Sequence, residues 1–567
     1  MTRRHVVALS LGLTGCALSG VTSALTLRAG PEPLPTAEQA PAFDVVLRGG
    51  QIIDGTGAAA VVADIGMRGD RIARVGDLRA ESARRTIDAA GLTIAPGFID
   101  LHTHSEMPLL QDGTAQSKIR QGVTLDVMGE STSAAPRDGL NPAPGADSVR
   151  PDWTTFTEYF DRLEKRGISM NVISHVAAAQ VRQVVKGYDP SPATPPELAR
   201  MRDLVARSMR EGAWGLVTRF ESGGPEHPRE ILEMARVVQS FGGNYTSHTG
   251  SEGFDQTKEL DFAIRVAEEA KIPVHIFHFK VRARDNWGTI GRFITQLESA
   301  RARGLDITAN QYPYTAMFHG WSAFFPVWMR EGGPEKFAER LRDRTLRSKL
   351  KSDPDFIAWA KEHGWWEGIV LARARTDKNR QYEGKRVAEI AKLRGDADPM
   401  DTCIDLMAEE GGNISGIFHT MSEEDVRTVM KLPWVAVASD GSAINLDAPG
   451  VPHPRNYSTN VRVLGHYVRD ERVLTLPEAI RKMTSLPARI LSLKDRGQLK
   501  EGFAADIAVF DPARVRETNS FERPKSYAEG VRYVLVNGVV VIDDGKHTGA
   551  TPGRALRGPG YQARSSR

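Results

Sequence analysis

Cysteine is nearly missing from this chain, with only Cys16 and Cys403 among 567 residues. A disulfide framework is excluded, and stability must come from packing. An excess of either charge is also missing. Lys and Arg total 74 against 71 Asp and Glu, a formal net charge of +3. With no long basic stretch, nothing supports binding to nucleic acid. Beyond the N-terminus no segment approaches the roughly 20 consecutive apolar residues that a spanning helix needs. The length is enough for one large α/β domain with a smaller one beside it.

The first sixteen residues read as a processing signal. Arg3-Arg4 supply a positive start, residues 6–13 are apolar, and Leu13-Thr14-Gly15-Cys16 resembles the lipobox of bacterial lipoproteins, in which the Cys is acylated. Residues 2–7 also resemble a twin-arginine export signal. The expectation is an exported protein at the periplasmic or cell surface, touching the membrane only through a lipid anchor at Cys16. Residues 17–42, rich in Ala, Pro, Thr and Ser, form a spacer. Cys403 then has no partner and reads as a small buried apolar residue.

From residue 43 the texture changes to short strand signals broken by Gly and Asp turns, and it returns at residues 505–510 and 533–541. Segments 43–97 and 497–557 are therefore expected to pair into one small β-sandwich. Between them, residues 98–496 alternate strand-like pieces (122–128, 169–173, 215–218, 243–247, 274–279, 306–309, 435–439) with helix-like ones (197–211, 228–241, 258–270, 290–302). That count predicts an α/β fold of the (β/α)8 TIM-barrel type. Residues 321–413 break the rhythm. They are helical, charged and aromatic, with 367–372 as their one strand-like run, and read as an insertion that serves either as a lid or as a dimer contact.

Chemistry in such a barrel sits at the C-terminal ends of the strands. The stretch Ala95-Pro96-Gly97-Phe98-Ile99-Asp100-Leu101-His102-Thr103-His104 ends in two His on one strand face, able to share a metal ion. The second strand runs into Glu130, the fifth ends in His248 and the eighth ends in Asp440. The sixth, continued through Lys280, aligns Val274, Ile276, His278 and Lys280 on one face. Four His, one Glu and one Asp at five strand ends match the ligand set of zinc or a similar divalent ion, and water held there would lie within reach of Asp440 as proton acceptor.

The order of these motifs resembles the amidohydrolase superfamily and, within it, the N-acyl-D-amino-acid deacylase (D-aminoacylase) family. The resembling pieces include 95–104, 245–253, His278-Phe279-Lys280, 309–316, Ser439-Asp440-Gly441, 464–469 and 483–489. The resemblance implies a barrel with a β-sandwich and one or two zinc ions, or another divalent metal, on His102, His104, His248 and His278. It also implies cleavage of N-acyl-D-amino acids to a carboxylate and a free amino acid by metal-bound hydroxide, with Asp440 as proton shuttle. Two departures stand out. Many members carry a metal-binding Cys after the second strand, where this chain has Gly129-Glu130-Ser131, so Glu130 takes its place among the metal ligands. The family's substrate-binding Tyr after the fourth strand is replaced by Gly-Leu-Val-Thr-Arg219 and Phe-Glu-Ser, which leaves Arg219 as the candidate contact. Lys280, Tyr312 and Tyr314 are further candidates for holding a substrate carboxylate, with a structural role as the alternative, and His419 and His453 are weaker ones. The competing readings are another amidohydrolase, acting on a D-amino-acid dipeptide or a cyclic amide, and a lipoprotein that binds metal or ligand without turnover.

Overall fold

The computed structural model describes residues 41–140, 149–220, 227–250, 252–253 and 256–563. The leader, Cys16 and the linker up to residue 40 lie outside them. Within the described part, the two ends of the chain build one β domain. Strands Phe43–Ile52, Val61–Arg68, Arg71–Gly76, Ala83–Asp88 and Thr93–Pro96 join Ile507–Phe510, Val531–Val536, Val539–Asp543 and Lys546–His547 in a nine-stranded sheet. The seam is the antiparallel pairing of Thr93–Pro96 with Ile507–Phe510, which sets Ile507 opposite Pro96 and Phe510 opposite Thr93.

The two-residue period of this seam strand couples the domains. Ile507 and Val509 enter the β-domain core with Leu47, Ile65 and Ile94. Ala508 and Phe510 face the other way, into the barrel's main core with Phe98. The Phe98 and Phe510 rings are 6.5 Å apart, and burying a ring of this kind contributes about 1.5–3 kcal/mol.

Eight parallel strands form the barrel in chain order: Phe98–Thr103, Val123–Met128, Asn171–Ser174 with its continuation Val176–Ala177, Gly215–Phe220, Asn244–Thr249, Val274–Ile276, Ile307–Gln311 and Val435–Val437. The outer helices follow from their sequences. Pro195–Arg210 begins at a Thr194–Glu197 capping box with Pro at its first position, and buries Leu198, Met201, Leu204, Val205, Ser208 and Met209 at helical spacing. The eighth strand closes on the first through a Thr103–Gly441 bridge and a hydrogen bond from His104 N to Gly441 O of 2.9 Å. A buried ion pair reinforces that closure. Lys118 Nζ, 0% exposed, lies 2.8 Å from Asp100 Oδ2 and donates to Ser439 Oγ, while Asp100 Oδ1 accepts from Ser439 N.

The structure departs from two expectations. The sixth strand stops at Ile276 instead of running through Lys280, so the single-face alignment of Val274, Ile276, His278 and Lys280 does not form. Asn310 Oδ1 captures His278 N at 2.7 Å, and His278 turns into the left-handed region at φ 31°. The strand-like run at 367–372 does form a strand, Ile369–Arg373, but it lies off the barrel. It pairs antiparallel with Ser415–His419, which pairs in turn with Ala316–Gly320. The inserted unit therefore spans 316–419, wider than 321–413, and has its own core of Trp321, Phe325, Phe356, Trp359, Ile404 and Phe418. Cys403 is buried in that core as a free thiol.

Candidate metal centre and active-site cleft

The C-terminal strand ends open into a cleft of about 590 Å³. His104, Glu130, Arg219, His248, His278 and Asp440 line it from the barrel, and Phe318, His319, Gly320, Arg373 and Ser415 line it from the inserted sheet. The inserted unit is therefore one wall of the cleft.

Two groups of ligand atoms meet on its floor. His102, His104, Glu130 and Asp440 form one, and Glu130, His248 and His278 form the other, each with its ligand atoms within 4.8 Å of one another. Glu130 belongs to both. Its Oε2 is 2.6 Å from His102 Nε2 and 3.2 Å from His104 Nε2, and its Oε1 is 3.9 Å from His248 Nε2. Asp440 Oδ1 is 3.0 Å from His104 Nε2 and 3.5 Å from His102 Nε2.

The backbone is bent to achieve this. Ser131, His278 and Asp440 all have positive φ, at 63°, 31° and 49°. Such conformations cost about 1–3 kcal/mol each and persist where the surrounding structure holds them. Gly129, at φ 124°, makes the turn that presents Glu130, and a Cβ there would meet His175 O at 2.6 Å.

The donors fit a divalent metal. His248 is buried, and among the described residues neither of its ring nitrogens has a hydrogen-bond partner. Burial and the neighbouring His278 push its pKa down to about 3, so it is a neutral imidazole, as ligation requires. Burial likewise lowers His102. Burial alone would raise Glu130 and Asp440. It is outweighed for Glu130 by His102 and His104, and for Asp440 by Arg455 and His102, so both carboxyls lie well below the usual range. His104 differs. Burial opposes its charge, yet hydrogen bonds to Asp440 and Glu130 raise it to about 10. Its side chain is 37% exposed to the cleft, so water moderates that rise. Imidazole nitrogen and carboxylate oxygen combined in this way suit zinc.

The remaining sequence candidates divide. Arg219 lines the cleft beside His248. Lys280 and Tyr312 line a separate small cavity behind His278. Lys280 Nζ is 2.5 Å from Glu252 Oε1 and 2.8 Å from His278 Nδ1, which commits the ammonium to the ligand shell. Tyr314 packs beneath Arg462, 5.0 Å from its ring, with its hydroxyl 3.5 Å from Glu517. His453 is buried, with Nε2 donating to Ala316 O and Nδ1 accepting from Arg455 N. His419 meets the Phe521 ring edge-to-face.

Sequence reasoning missed two residues. Glu252 Oε1 lies 2.9 Å from His278 Nδ1, a carboxylate that orients a ligand imidazole from behind. Arg455 places Nη1 2.8 Å from Asp440 Oδ2. Neither stands at a strand end, the only signal that would have drawn attention to it.

A closed parallel barrel with imidazoles and carboxylates converging at its C-terminal end defines a metal-dependent hydrolase of the TIM-barrel class. The Amidohydrolase family model matches residues 85–351 and 357–542, and the chain belongs to that family. It is 33% identical over 521 residues to a D-aminoacylase of Alcaligenes xylosoxydans xylosoxydans, covering 91% of this chain and 97% of the relative. Among solved structures, a D-aminoacylase described as having a binuclear metal centre superposes with TM-score 0.76 at 32% identity, covering 91% of this chain and all of that one. The Bordetella bronchiseptica N-acyl-D-glutamate deacylase, solved with zinc and a phosphonate mimic of the tetrahedral intermediate, gives TM-score 0.76 at 28% identity over 91% of this chain and 99% of that one.

Proposed function

We propose that this chain hydrolyses the amide bond of N-acyl-D-amino acids, releasing a carboxylate and a free amino acid, with zinc held by His102, His104, Glu130, His248, His278 and Asp440. One observation carries the proposal: Glu130 is shared by two ligand groups, one of which contains the proton-accepting carboxylate Asp440. Zinc in such a site lowers the pKa of water from 15.7 towards about 7 and polarises a carbonyl.

The chain's own residues supply the rest. Arg455 holds Asp440 Oδ2, which leaves Oδ1 facing the ligand cluster, where it takes a proton from water and delivers it to the departing amine nitrogen. Glu252 fixes the His278 ring. Burial of Asp440, at 8% exposure, limits competing water. Arg219 is the substrate contact on the opposite wall. The Arg3-Arg4 start and the Leu13-Thr14-Gly15-Cys16 motif support export with a lipid anchor at Cys16, which mass spectrometry of the mature N-terminus tests.

For the activity, the zinc-loaded protein is assayed on paired N-acetyl-D- and N-acetyl-L-amino acids. We expect turnover of D substrates that chelation abolishes and zinc restores. Asp440→Asn is expected to lower kcat by about 10²–10⁴-fold, the usual worth of a positioned acid–base group. Absence of turnover on every N-acyl amino acid, or full activity in Asp440→Asn, would overturn the proposal.

A further inference from the structure

The cleft holds more positive charge than its ligand shell uses. Among the described residues, Arg137 and Arg219 both line it half-buried, and no carboxylate is hydrogen-bonded or ion-paired to either guanidinium. The carboxylate adjacent in sequence is already committed, since Asp138 binds Arg207 through both oxygens, at 3.0 and 2.5 Å. A guanidinium withdrawn from water without a partner is costly to maintain, and burial pushes the pKa of Arg137 below its ordinary value.

The two arginines share one wall. The loop that carries Arg137 is docked on the third strand: Ser133 Oγ accepts from Ala177 N at 3.0 Å, and Gln180 Nε2 donates to Pro136 O at 2.8 Å. That strand pairs with the fourth, setting Leu216 opposite Val176 and Val217 opposite Ala177. Two residues further along, Arg219 lies directly beside His248. In an eight-stranded barrel the fourth strand stands across the axis from the eighth, which bears Asp440.

This opposition orients the substrate. With Asp440 as proton donor, the departing amine nitrogen would lie towards the eighth strand, and the α-carboxylate one carbon away from it would come within reach of Arg455, which stands 2.8 Å from Asp440 Oδ2. The acyl half then extends across the axis, towards Arg137 and Arg219. We propose that these two guanidinium groups form a binding site for a carboxylate at the far end of the acyl group, so that the preferred substrates are amino acids N-acylated by a dicarboxylic acid. The site rests on the reading of the chain as an N-acyl-amino-acid hydrolase.

The test uses the zinc-loaded protein and two substrate pairs. The first is N-succinyl-D-alanine and its succinamoyl analogue, in which a carboxamide replaces the distal carboxylate. The second is N-acetyl-D-glutamate and N-acetyl-D-glutamine, which moves the extra charge to the amino-acid side. The succinyl compound is expected to show at least tenfold higher kcat/KM than its analogue. Arg137→Gln and Arg219→Gln are each expected to bring that ratio down towards one, since a hydrogen bond to a charged group is worth roughly 10- to 100-fold. Arg137→Lys, which keeps the charge, should retain part of the preference. A ratio near one in the wild type, a ratio unaltered in both Gln variants, or a preference confined to the glutamate pair would overturn the proposal. Thermal stabilisation by glutarate, compared between the wild type and the two Gln variants, decides the same question without turnover. If no N-acyl amino acid is hydrolysed but glutarate stabilises the wild type and neither Gln variant, the assigned activity fails while the anion site stands. Equal stabilisation of the wild type and both Gln variants by glutarate removes the site.

Discussion

Glu130→Gln perturbs the single side chain that both ligand groups share. The replacement keeps the volume and the turn at Gly129 while removing the charge. What remains is unequal. His102, His104 and Asp440 still make three ligands, the number a catalytic zinc site draws from protein, whereas the second group falls to His248 and His278. Metal analysis after exhaustive dialysis is therefore expected to find two ions per chain in the wild type and one in the variant. The surviving ion should also bind more weakly. Losing an outer partner of a ligand costs about 10–100-fold in affinity, and losing a direct ligand should cost at least about 100-fold.

A proton effect works against part of that loss. Without metal, Asp440 and Glu130 hold His104 up to about 10, so below that pH metal must displace a proton to bind it. Affinity consequently rises with pH across the neutral range. Removing the Glu130 charge lowers the His104 pKa, so the variant's affinity should vary less steeply between pH 6 and 9. Competition with a chelator across that range measures both quantities. Equal metal content, equal affinity and equal pH slope in the two proteins would refute the assignment of Glu130 as a shared ligand.

Two further substitutions probe how the site is held. Glu252→Gln removes the carboxylate behind His278 Nδ1 and leaves Lys280 without its partner; zinc affinity should fall about 10–100-fold, and an unchanged chelator titration would reduce Glu252 to a buried counter-ion. Lys118→Met strands Asp100 between the first and eighth strands, and the loss of one partner of a buried pair is expected to cost about 3–5 kcal/mol, read as a lower urea midpoint. A midpoint within error of wild type would show that the pair does not secure the barrel closure.

Periodicity made the strand-end chemistry legible. Seven short apolar runs and the Phe98–Thr103 motif correspond to the eight barrel strands, because each strand is bounded by a helix of clear 3.6-residue period or by Gly turns. His102, His104, Glu130, His248 and Asp440 were readable as strand-end residues on that frame. His278 was readable for a reason that did not hold. An alternating pattern cannot show that the Asn310 side chain will capture the His278 amide and that the strand will end at Ile276, two residues before His278. The inserted unit was visible as a break in rhythm, but its first and last strands in the chain, Ala316–Gly320 and Ser415–His419, pair across almost a hundred residues and carry no local signature of that partnership. Glu252 acts from a loop and Arg455 from the first residue of the helix Arg455–Arg462, and neither position is marked by strand spacing.

The site's dependence on five strand ends gives the closure of the barrel a chemical role. Asp440 and His104 come from the last and first strands, and their 3.0 Å approach exists only because those strands meet. The elements that make them meet lie within two residues of the ligands: the His104 N to Gly441 O bond on one side, and Lys118 joining Asp100 to Ser439 on the other. An exposed pair would contribute little to such a junction, whereas a fully buried one resists separation because parting its charges leaves each unsolvated. The same closure sets the fourth strand, with Arg219, opposite Asp440. The distance a substrate must span between the proton-delivering carboxylate and the cationic wall is thus fixed by the barrel itself, while the loops and the inserted sheet determine what shapes can enter.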